Sequence, residues 1–205
     1  MFLTRSGIKR LMKNAYKGGG LRVRNNGEGI NVSGSSWTAF WYHGDIPKET
    51  LGDLVALVGE LPEKWECYTA DKNGNQMEIW DDSIMSAMEI AIDGGAELKV
   101  TAVTVDSFPY SMRVIQGSNN EITLIDDRLQ AMIQPSLIDV KDDEELPTGP
   151  ILKVGSILGT PVRLVCWKND RMAFCAMPMI PSDENIVEMI KKFEEITLWR
   201  MKDET

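Results

Sequence analysis

The sequence predicts an α+β fold in which helices pack on antiparallel sheets, and three observations carry that expectation. Two stretches, 6–17 and 46–61, repeat apolar residues at the three- and four-residue spacing of a one-sided helix. Around them lie short β-prone runs separated by Gly, Asn and Asp turns. A chain of 205 residues, 43% hydrophobic and 26% charged, has the ordinary composition of a folded globular protein, with room for one large domain or two small ones.

The elements follow in order. Ile8, Leu11, Met12, Ala15 and Tyr16 form the apolar stripe of the first helix, which Gly18, Gly19 and Gly20 end. Residues 21–23 and 30–32 read as strands around an Asn25-Asn26-Gly27 turn, and the aromatic run 37–42 is a third strand. Pro47 opens the second helix, where its missing N–H has no partner to lose. Leu51, Leu54, Val55, Val58 and Leu61 are its buried face, and a hairpin, 65–70 with 76–80, turns at 71–74.

Further on, 83–92 is expected to be helical and 98–105 a strand. Residues 111–115 should pair with 121–125, and a short helix should cover 127–133. The acidic run 141–145, followed by prolines and glycine, reads as a surface loop. A hairpin joins 162–167 to 172–177, and an amphipathic helix from 182 to about 201 carries Ile186, Ile190, Phe193 and Leu198. A boundary near Asp81 divides the chain into 1–80, a complete helix–strands–helix–strands unit, and a more divergent 81–205.

Composition excludes several classes of function. No apolar run approaches the roughly 20 residues of a membrane span, and the N-terminus lacks a secretory h-region. A cytoplasmic location with no membrane partner is therefore expected. Cys67, Cys166 and Cys175 are odd in number and form no CxxC pair, so they read as buried free thiols and not as a zinc site or a disulfide framework, with a pairing of Cys166 and Cys175 across a hairpin as the alternative. The single histidine, His43, would have to serve any imidazole-based catalysis, and its loop position suits a structural role better. The paired aspartates 81–82, 126–127 and 142–143 fit caps and loops, and the triglycine closes a helix where a phosphate loop would open one. The expectation is a non-enzymatic binding protein with no metal or cofactor.

A net charge of -9 disfavours binding of nucleic acid by the whole surface, so the placement of the cations matters more than their sum. Lys9, Lys13 and Lys17 recur every four residues beside Arg10, opposite the apolar stripe, and Arg22 and Arg24 follow directly. Such a face suits either solvent or a phosphate backbone, which lysine and arginine neutralise without reading sequence. The second helix carries the opposite sign in Glu49, Asp53 and Glu60.

Residues 3–80 resemble one domain of the bacterial DNA sliding clamp, the β subunit of DNA polymerase III. The order strand, helix, three strands is carried by Phe2-Leu3-Thr4, the helix 6–17, "GGLRVRNNGEGINVSG" and "WTAFWY". The stretch "GDIPKETLGDLVALVGELPEKWECYTADKNGNQMEI" is similar to a second copy of the unit. The hairpin "PVRLVCWKNDRMAFCAMPMI" is similar to the last hairpin of these clamps. The resemblance implies a DNA-clamp-like fold and a replication accessory, with duplex DNA and a polymerase-type peptide as partners. Lys9, Arg10, Lys13 and Lys17, followed by Arg22 and Arg24, would face the DNA backbone. Met177, Pro178 and Met179 would border the partner-peptide pocket, and a homo-oligomer would supply the ring. The chain also departs from the family, with room for fewer than two such domains and about 25 residues beyond Met179. A protein-interaction module of a phage or mobile element, binding a host protein without DNA, is the alternative.

Overall fold

The computed structural model describes residues 1–92, 95–138, 150–157 and 160–198, with backbone alone at 155–157, 160 and 161. The acidic run 141–145 and the end of the expected last helix lie outside the described residues. Among those described are eleven strands and five α-helices in an α+β arrangement.

The first helix, α1 (Arg5–Lys17), buries Gly7, Ile8 and Met12. It ends because the N–H groups of Gly18 and Gly20 return to the carbonyls of Asn14 and Ala15, each at 2.9 Å. Gly20 is needed there. Its φ is +101°, and a Cβ would lie 2.3 Å from the Thr69 methyl.

Strands β1 (Leu21–Asn25), β2 (Gly29–Ser33) and β3 (Trp37–Tyr42) follow, then α2 (Lys48–Val58) and the hairpin β4 (Glu66–Asp71) with β5 (Gly74–Glu78). The second half contains α3 (Ala87–Ile92), β6 (Ala96–Ser107), β7 (Tyr110–Gly117), β8 (Ile122–Asp126), α4 (Asp127–Gln130) and a 3-10 turn at Pro135–Leu137. It closes with β9 (Ile151–Ile157), β10 (Thr160–Lys168), β11 (Met172–Ala176) and α5 (Glu184–Glu194).

Hydrogen-bonded neighbours run β5-β4-β1-β2-β3-β11-β10-β9-β6-β7-β8, every pair antiparallel. The middle of this sheet is covered on both sides. One face presents Leu21, Val23, Val32, Trp41 and Phe174 to the core that includes Ile8 and Met12 of α1 and Leu54 and Val58 of α2. The other presents Phe40, Leu164, Cys166 and Cys175 to Ala87, Ile90 and Ala91 of α3. This explains why β11 reads as a continuous apolar run and β3 as an apolar and aromatic one broken only by Thr38, with no alternation.

Strand β6 is the fold's bend. It pairs with β9 only at Ala96 and Glu97, and its pairing with β7 shifts register between Val100 and Thr104. Leu98, Ile115 and Ile125 of this leaf join the same core as Val165, Trp167 and Phe174. On the leaf's other side, Val105, Met112, Val114 and Leu124 pack against Ile186 of α5. Residues on both sides of Asp81 share the largest core, β3 pairs with β11, and Leu3 bridges Ile133.

Three elements are shorter than the sequence suggests. The helix expected at 83–92 begins only at Ala87. Before it, the Asp81 carboxylate takes the Ser83 N–H (2.8 Å) and hydroxyl (2.7 Å), while the carbonyls of Asp81 and Ile84 accept from Arg24. Ser86 and Glu89 then form a reciprocal capping box. The expected helix 127–133 is limited to Asp127–Gln130, because Ile133 is drawn into its bridge with Leu3. Helix α5 ends at Glu194, where the chain turns to bring Leu198 under the leaf. Strand β9, between two Pro- and Gly-containing stretches, is an addition to the expected set.

Candidate functional site

Met177, Pro178 and Met179 lie where the chain leaves β11 and crosses to the outer edge of β8. The Met177 N–H donates to the Ser36 carbonyl at 2.9 Å, and the Met179 N–H to the Leu124 carbonyl at 2.7 Å. Pro178 and Pro181 bring no N–H, so two anchors and two rings hold an extended wall. Against this wall, Ile122, Leu124, Val162 and Ile190 complete a mainly apolar cleft of about 430 Å3. Ile180 is 92% exposed beside it. Arg163 closes one rim through an ion pair with Glu121 at 2.6 Å, which holds the Glu121 carboxyl below the usual carboxylate range. Two methionines in such a wall can reshape to fit an apolar guest.

The six cations proposed for DNA divide into two groups. Arg10, Lys13 and Lys17 are exposed on α1, and among the described residues no ion pair involves Lys13 or Lys17. Lys9 instead donates to Asp53 of α2 at 2.5 Å, beside Arg5 at 2.9 Å on the other carboxylate oxygen. These two cations hold the Asp53 carboxyl down at about 2, so its charge is already answered. Arg22 is paired with Glu78. Arg24 is 5% exposed, and burial, helped by Arg22, pushes its guanidinium pKa down. Arg10 and Arg22 meet with Arg128 and the triglycine along a second cavity of about 410 Å3, whereas Arg24 lies elsewhere.

A third cavity, of about 310 Å3, has Arg24 in its wall with Lys64, Trp65 and Trp80. Sequence reasoning passed over both tryptophans, yet a signal was present. In the β4–β5 hairpin Cys67 faces Glu78, and continuing that register outward sets residue 65 opposite residue 80. The two rings meet edge to face, with centroids 5.3 Å apart.

The remaining chemistry-bearing side chains are structurally engaged. The exposed His43 has Nε2 3.2 Å from the Asn25 carboxamide oxygen. Cys166 and Cys175 face each other across β10 and β11 as buried free thiols, and burial pushes the Cys175 thiol well up, away from the reactive thiolate. Among the described residues no group of three His, Cys, Asp or Glu side chains is placed to hold a metal ion. No helix among them is long and apolar enough to cross a membrane. Comparisons with protein-family models, curated proteins and solved structures return no match to this chain.

Proposed function

We propose that this chain is a non-enzymatic binding protein that captures an apolar segment of a partner in the cleft of Met177, Pro178 and Met179. The carrying observation is the cleft itself. It combines a preformed wall, an apolar lining and a volume within the range of about 300–1,000 Å3 usual for ligand sites. The resemblance of the sequence to sliding clamps implies a partner-peptide pocket bordered by these residues, with a polymerase-type peptide as the guest. A fluorescein-labelled C-terminal peptide of a replicative polymerase should bind in fluorescence anisotropy, and Ile180→Asp should weaken it about tenfold or more. Ile180 is 92% exposed, so the variant leaves the fold intact. Affinity that Ile180→Asp and Met179→Lys leave unchanged would sink the proposal.

A second reading, clamp-like contact with duplex DNA, is favoured by the open side of α1. With Lys9 committed to Asp53, the phosphate-facing set reduces to Arg10, Lys13 and Lys17. Of the two acids of α2, Asp53 is neutralised by Arg5 and Lys9, while Glu49 is exposed in the first turn. Lys13→Glu with Lys17→Glu should reduce DNA retention at low salt and lower the slope of log K against log salt by about two. A ring-sized oligomer in light scattering fits this reading. Peptide or host-protein capture with no DNA retention at low salt favours the interaction module instead.

A further inference from the structure

We propose that the cavity lined by the triglycine and the β2–β3 turn is a second binding site, which takes a small phosphorylated sugar or polyol. It shares no lining residue with the Met177 cleft.

The charge balance favours an anion. Arg10, Arg22 and Arg128 line the cavity, and Asp126 is the one carboxylate among the described residues of its lining. Arg22 is answered by Glu78, which lies outside that lining. Asp126 is taken up by Arg128, whose Nε and Nη2 donate to Oδ1 at 2.9 Å and to Oδ2 at 2.5 Å. Three guanidinium groups against two carboxylates leave one positive charge. It falls on Arg10, which is exposed and in no ion pair among the described residues. In a chain of net charge -9, a positive surplus inside a concavity of about 410 Å3 is a local exception that suits a small anion.

The end of α1 borders the same cavity, and a helix C-terminus opposes an anion through its free carbonyls. Here they are already answered: Asn14 and Ala15 accept the Gly18 and Gly20 N–H groups, each at 2.9 Å.

The lining also says what the anion is attached to. Ser35 and Ser36 form the apex of the β2–β3 turn, which the Gly34 N–H closes onto the Trp37 carbonyl at 3.0 Å. Gly34 is required in that turn, since a Cβ would lie 2.5 Å from the Trp37 indole nitrogen. The Ser35 and Ser36 hydroxyls and the Asn14 carboxamide are exposed and bonded to no protein group among the described residues. Groups of this kind exchange hydrogen bonds with hydroxyls and with phosphate oxygens. The aromatic ring of the lining, Trp37, is 4% exposed and offers no open face for a base to stack on. A hydroxyl-bearing body with its phosphate toward Arg10 matches this set of donors.

Isothermal titration calorimetry of the full chain tests this with glucose 6-phosphate and glycerol 3-phosphate, using glucose and inorganic phosphate as half-ligands. Saturable binding of at least one of the two phosphate esters is expected, with each half-ligand about tenfold weaker. Arg10→Gln should weaken the bound ester about tenfold, and Ser35→Ala with Ser36→Ala about threefold. All three side chains are exposed, so these variants should melt as the parent does. Arg10 also belongs to the DNA-facing set, and a control separates the two uses. Lys13→Gln with Lys17→Gln, both outside the cavity, should leave the affinity for the ester within about twofold. The proposal is overturned by an absence of saturable ester binding in the millimolar range, or by inorganic phosphate binding as tightly as the esters. Binding indifferent to Arg10→Gln, or weakened as much by the lysine variant, overturns it too.

Discussion

The middle of the sheet and the β6–β8 leaf are built on different principles. At β3 and β11 both faces are covered, and cohesion comes from shape: Phe174, fully buried, has ring centroids 6.4 Å from Trp37 and 6.0 Å from Trp167. The leaf is covered on its outer side by α5, and the chain beyond that helix is fastened by a buried polar side chain, with the Thr197 hydroxyl donating to the Asn120 carboxamide oxygen at 3.2 Å as a lesser tie. Gln116, fully buried in β7, accepts the Leu198 N–H at 2.8 Å and donates to the Ile196 carbonyl at 2.7 Å. Packing of the first kind tolerates no loss of volume, while fastening of the second kind tolerates no loss of a hydrogen-bonding partner. The contrast predicts that damage at the centre is global and damage at Gln116 is local.

Phe174→Ala is the largest expected effect. Removing a ring from between two tryptophans costs its transfer energy and leaves a cavity that flanking strands cannot close, about 3–5 kcal/mol. Urea denaturation should show one transition at a lower midpoint with an unchanged slope. Loss of α5 protection ahead of the strands in this variant would contradict the global reading.

Gln116→Ala should cost less, about 1–3 kcal/mol, because it leaves a buried N–H and a carbonyl without partners. Its signature is its location. Amide exchange should accelerate across residues 184–198, while amides of β3 and β11 keep their protection. Uniform acceleration through the whole sheet would erase the distinction between the two regions.

The same contrast governs what could be read from the sequence. Helices α1 and α2, the strands 21–42 and the two long hairpins follow local rules of period and turn chemistry, so the sequence reveals them. The truncation of the helix before Ala87 was hidden, because Arg24, some 60 residues away, takes the carbonyls that further turns would use. Gln116 looks like an ordinary polar strand residue until the chain returns 80 positions later. The stripe of lysines is legible as a period, but Asp53's claim on Lys9 depends on how α1 lies against α2. Met177, Pro178 and Met179 stand out in the sequence only through the resemblance to sliding clamps, and the surfaces opposite them, β8 and α5, come from the bend in β6.

The smallest expected effect concerns the tie between α1 and α2, a third kind of fastening that is charged and mostly exposed. Asp53 is held from an ordinary 3.8 to about 2 by the Arg5 and Lys9 hydrogen bonds. A carboxyl with a depressed folded-state pKa stabilises the fold above its unfolded pKa, and that contribution fades as pH falls through the folded value. The melting temperatures of the parent and Asp53→Asn should therefore differ by a constant amount above about pH 5 and converge between about pH 4 and pH 2. The gap should be small, because the Arg5 and Lys9 side chains are 53% and 40% exposed and solvent screens their pairing. High salt should narrow it further, while leaving the costs of Phe174→Ala and Gln116→Ala unchanged. A gap that persists at pH 2 would mean that Asp53 holds the two helices together through packing, as Phe174 does, and not through charge.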